Sequence, residues 1–135
     1  MTSLTDTPAV QAFVSLAREY CAVIENREPA DPVALLRAVQ PLLPALCHAA
    51  LALPELGEID VPDEHPGTAS EEELDRFMDE WRPLYQGLTR ELDTHNWYWE
   101  VYDPYELSEP INGSLADDLG GIYMDLIRGL RAWGA

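Results

Sequence analysis

Carboxylates near the C-terminal end of this sequence carry most of the chemistry it could perform. Asp117, Asp118 and Asp125 stand within SLADDLGGIYMDLIRGLRAW, residues 114–133, where Leu115, Leu119, Ile122, Leu126, Leu130 and Trp133 recur at helical steps. At about 100° per residue, Asp118 and Asp125 share one border of that apolar stripe and Asp117 lies outside it. Acids on a helix can hold a magnesium ion, and Glu25 on the first helix could complete the set Asp117, Asp118, Asp125 and Glu25. The spacing weighs against it. Seven residues of helix rise about 10.5 Å, whereas the ligand oxygens of one ion lie within roughly 2.0–2.6 Å of it. A plainer role is structural: Asp118 sits near a helix N-terminus, which favours negative charge. Asp125 has Arg128 three residues on as a local partner, but Asp118 has no basic residue at three or four positions in either direction. Asp118 is therefore expected to be at least half buried and bonded to an arginine or tyrosine from another element.

Aromatic residues form the second feature. Trp97, Tyr98, Trp99, Tyr102 and Tyr105 fall within nine positions, and such a density buries much area while each indole N–H and phenol O–H still requires a partner. Together with Asp103, Asp118 and Asp125, the residues Trp97, Trp99, Tyr102 and Tyr105 make the candidate binding set. Asp103-Pro104 favours an extended or turn conformation, so residues 94–113 read as an ordered aromatic loop with at most a short helical turn. That loop is either a lid over one end of a bundle or a platform for a partner.

The run WYWEVYDPYELSEPINGSLADDLGGIYMDLIRGL, residues 97–130, resembles the C-terminal half of a bacterial family known as domain of unknown function 5063. LAREYCAVIE, residues 16–25, and LPALCHAALALP, residues 43–54, resemble its N-terminal half. The resemblance covers nearly the whole chain and is most specific at SLADDLGGIYMDL, residues 114–126. It implies a small all-α fold and no assigned activity. Where the family pattern often carries another carboxylate this sequence has Gly121, which removes an acid from any site that needs one there.

The elements that must position these groups follow from caps and stripes. Thr7-Pro8 and Asp31-Pro32 each pair a capping residue with a proline suited to the first helical position. Ser70-Glu71-Glu72-Glu73 is a capping box, and Ser114 with Asp117 is a second capping arrangement. Four helical regions result, near residues 8–28, 32–53, 70–93 and 114–133. Pro41 and Pro44 require the second to bend or restart near Gln40, and Pro83 should kink the third. Residues 54–70, rich in proline, glycine and acids, read as an acidic surface loop. No strand alternation is evident, so the fold is expected to be a single-domain all-α bundle.

Composition narrows the function. The chain has 135 residues, 25 acids and eight basic residues, all arginine, for a formal charge of −17. Such a surface repels phosphate backbones and anionic lipid, so neither nucleic acid nor membrane is an expected partner. No apolar run suggests a membrane span, no secretion signal opens the chain, and Cys21 and Cys47 lack disulfide or metal spacing, so reduced core thiols in the cytoplasm are expected. No triad and no phosphate loop is present, and no cofactor is expected. The leading expectation is a protein-binding module for a partner that is basic. The alternative is a magnesium-dependent enzyme of the all-α nucleotide pyrophosphohydrolase kind. Its ExxE…ExxD pattern is matched only in part by Glu71, Glu72, Glu73 and Asp75, which capping already explains.

Overall fold

The computed structural model describes residues 3–55, 70–101, 103, 105 and 109–134. Five α-helices run through the described residues: α1 (Pro8–Glu25), α2 (Pro32–Val39), α3 (Leu42–Leu51), α4 (Glu71–Leu92) and α5 (Leu115–Trp133). Three of the four capping residues act as the sequence predicts, whereas the Thr7 side chain makes no cap hydrogen bond to α1. Asp31 accepts from the amide of Ala34 at 3.0 Å, Ser70 from Glu73 at 3.2 Å and Ser114 from Asp117 at 3.3 Å. The second helical region breaks at Gln40–Pro41 into α2 and α3, and Pro44 falls in the first turn of α3, where its missing N–H costs no intrahelical bond. α4 runs through Pro83 as one continuous helix.

Helix α5 lies between α1 and α4, and the three form the core. Tyr20 and Ile24 of α1, Leu88 and Leu92 of α4, and Ala116 and Leu119 of α5 are buried together, with Leu35, Val39, Leu42 and Leu46 of α2 and α3 covering them. The Tyr20 hydroxyl donates to the Leu119 carbonyl at 2.8 Å and so remains satisfied inside this core. Arg27, just beyond α1, donates through Nε and Nη2 to both carboxylate oxygens of Glu91 on α4, at 2.9 and 3.0 Å. α5 runs antiparallel to α4: Leu88 approaches Gly120, while Phe77 lies under Arg128.

Three expectations need correction. Residues 94–113 are not simply an ordered loop: α4 ends at Leu92, and the next residue, Asp93, has a positive φ of 49° that turns the chain out of the helix. A 3-10 turn (Asp93–Asn96) then leads into strand β1 (Trp97–Glu100), which pairs antiparallel with β2 (Ile111–Ser114). Four-residue strands are too short to show a period-two pattern, although Trp and Tyr favour extended backbone. Cys21 is buried, but Cys47 is exposed on α3 and does not belong to the core. The stretch Pro32–Leu51 does have the length and mean hydropathy, 1.4, of a membrane span, but here Pro41 divides it, and Leu35, Leu42 and Leu46 are buried in the core while Leu51 is exposed. Most of the proposed 54–70 loop, residues 56–69, lies outside the described residues.

Candidate functional site

The hairpin register determines what the aromatic residues present. Trp97 lies opposite Ser114, Tyr98 opposite Gly113, Trp99 opposite Asn112 and Glu100 opposite Ile111. Successive side chains on a strand alternate in direction, so Trp97 and Trp99 share one face and Tyr98 points to the other. The Tyr98 ring packs against Gly113, where a Cβ would clash with the hydroxyl end of the phenol, and its hydroxyl donates to the Asp118 carboxylate on the first turn of α5. This hydrogen bond, with some burial and the nearby charges of Asp118, Glu100 and Asp117, pushes the Tyr98 hydroxyl up to about 12. Tyr98 is therefore a permanent donor at neutral pH. Asp118 has the partner from another element that its sequence context requires, but it is exposed rather than half buried. The reason is geometric: Tyr98 reaches it from the face of the hairpin turned toward α5, and this single contact leaves the carboxylate open to solvent.

A buried side chain fixes the hairpin to the bundle. The Asn96 carbonyl oxygen accepts from the Ala116 amide at 2.7 Å and from the Ser114 hydroxyl at 3.3 Å, which supplies an acceptor to the open N-terminus of α5. Its amide nitrogen is buried without a partner among the described residues. With Asn96 and Tyr98 both tied to α5, the opposite face of β1 is held outward. Trp97 is 54% and Trp99 70% exposed, and Val101 and Tyr105 are exposed beyond them. Asp103 accepts from the Tyr105 amide at 2.9 Å and folds that turn back. Glu100, Asp117 and Asp118 border the hairpin, and none of them forms an ion pair among the described residues.

The family model described as domain of unknown function (DUF5063) matches residues 5–134. The chain belongs to this family. No curated protein and no solved structure matches it.

In this DUF5063 chain Asp125 lies away from the hairpin. Tyr102 lies outside the described residues. Asp125 is exposed on the second half of α5, where it borders a cleft against α1. Arg128 does not pair with it: its guanidinium lies 5.7 Å from the centre of the Phe77 ring on α4, drawn there by cation–π attraction. Asp117, Asp118, Asp125 and Glu25 are not gathered into one site. Among the described residues no group of three or more His, Cys, Asp or Glu side chains is placed to hold a metal ion. Asn96, Val101 and the α1–α5 cleft are features that sequence reasoning missed. Val101 follows Trp97 and Trp99 at two-residue steps, which is a faint strand signal; a buried asparagine whose acceptor serves a helix 20 residues away leaves no local signal.

Proposed function

We propose that the chain is a protein-binding module whose hairpin face receives a basic, partly apolar segment of another protein. The observation that carries this reading is the outward projection of Trp97 and Trp99 from the same face of β1. Exposed indoles on a rigid support are the side chains that most often dominate protein interfaces, and their faces attract arginine and lysine. The carboxylates of Glu100, Asp117 and Asp118 and the net charge of −17 favour the same cationic partner. That charge disfavours nucleic acid and anionic membrane, and free Cys21 and Cys47 are compatible with a cytoplasmic setting.

A displayed peptide library selected against the protein tests this. The expected result is enrichment of sequences in which arginine or lysine alternates with apolar residues, with binding weakened by added salt. The variant Trp97→Ala/Trp99→Ala should lose at least tenfold in affinity for the selected peptides while keeping its thermal transition. Enrichment of acidic sequences, or binding untouched by the double substitution, would overturn the reading.

A further inference from the structure

At the opposite end of α5 the molecule has a second surface, and it differs in kind from the hairpin. A cleft of about 380 Å³ opens between the first half of α1 and the second half of α5, with Leu53 and Pro54 closing one side. Val10 and Phe13 form one wall and Leu126, Leu130 and Trp133 the other. This volume is within the roughly 300–1,000 Å³ of small-molecule sites. Gly129 lines it, and a Cβ built there meets nothing within 4 Å, so the cleft continues down to the helix backbone.

Asp125 is the charged residue of this lining. It stands four positions before Gly129 and so on the same side of α5. The arginines that could neutralise it are turned away: Arg128 covers Phe77, and Arg131 bonds both oxygens of Glu80 at 2.9 and 3.0 Å, both on the α4 side. Asp125 has no ion pair among the described residues. We infer that this cleft binds a small amphiphilic monocation, a molecule with an apolar body that fills the space beside Gly129 and a protonated amine or amidine that meets Asp125. Apolar walls alone would accept a neutral or anionic body equally well. The unpaired carboxylate at the rim, reinforced by the charge of −17, selects the cation and rejects the anion.

Matched probes of opposite charge test the inference on the full chain: phenethylammonium, phenylacetate as its anionic counterpart, and methylammonium as a cation without the body. Binding is followed by amide resonances in a two-dimensional NMR titration at constant ionic strength. Phenethylammonium should give saturable shifts centred on Val10, Phe13, Gly129 and Trp133, with phenylacetate and methylammonium at least tenfold weaker. Asp125→Asn should remove the preference for the cation, and Gly129→Leu, which fills the cleft from a position with free space, should abolish binding while the thermal transition is retained. Equal binding of phenylacetate, shifts confined to the hairpin, no effect of Asp125→Asn, or a dimer closed through this cleft would overturn the proposal. Because Trp97 and Trp99 are absent from the cleft, failure here leaves the hairpin reading standing, and the reverse holds.

Discussion

Gly120 and Gly121 are adjacent on α5 and make opposite demands on a side chain. A Cβ at Gly120 would approach Trp81 Cζ3 to 2.9 Å, so the helix needs glycine there to pack against α4; a Cβ at Gly121 meets nothing within 4 Å. Gly121→Ala should therefore stabilise the fold by about 0.5–1 kcal/mol through helix propensity alone, whereas Gly120→Ala should destabilise it by roughly 1–3 kcal/mol through overpacking. Chemical denaturation of the two single variants decides this, and a stabilised Gly120→Ala would contradict the packing described. The Tyr98–Asp118 link has a pH signature. The hydroxyl is raised from 10 to about 12, so the folded state holds its proton more firmly than the unfolded chain does. The link contributes fully below pH 10 and is lost as pH rises through about 12. In an ultraviolet titration of tyrosinate, with Tyr98→Phe as the difference reference, Asp118→Asn should move this ionisation back toward 10. An unchanged midpoint would mean that the hydrogen bond does not hold the proton. The need of Asp118 for a remote partner was legible in the sequence because no arginine stands within a helical turn of it. Its exposure was not, because a hydrophobic stripe marks which border of a helix is near the core but not which neighbour stops short of it.

The helical elements were largely legible, because their starts are marked by local chemistry. Asp31, Ser70 and Ser114 each accept from the amide three residues on, and that spacing can be read without any tertiary knowledge. The hairpin was not, because its pairing joins Trp97 to Ser114 across a connection with turn residues but no two-residue hairpin signal. How elements dock was equally hidden. Arg27 and Glu91 lie 64 residues apart, yet their paired hydrogen bonds fix the end of α1 against the last turn of α4, and Arg27 Nη1 also donates to the Ile24 carbonyl at 2.8 Å. Glu91→Ala strands a largely buried guanidinium and should cost about 2 kcal/mol, while Glu91→Gln, which keeps one acceptor, should cost less. Thermal melts of both variants check the order; equal losses would show that the pair acts through packing rather than charge.

For the whole molecule, the predominantly all-α class follows from stripes that must be buried against one another. The two surfaces proposed for binding stand at opposite ends of α5, whose 19 residues span about 28 Å, so one helix carries both and is itself held in the core between α1 and α4. That central position also governs how the chain reaches its fold. The bond from Tyr20 to Leu119 closes a span of 99 residues, and the loop-closure entropy of such a span is about 4 kcal/mol. α5 follows every other helix in the chain, so on the ribosome α1 to α4 emerge with their apolar stripes facing a partner not yet made. Cooperative folding must wait for α5 to leave the exit tunnel, and until then the stripes of α1 and α4 are the surfaces a chaperone would meet.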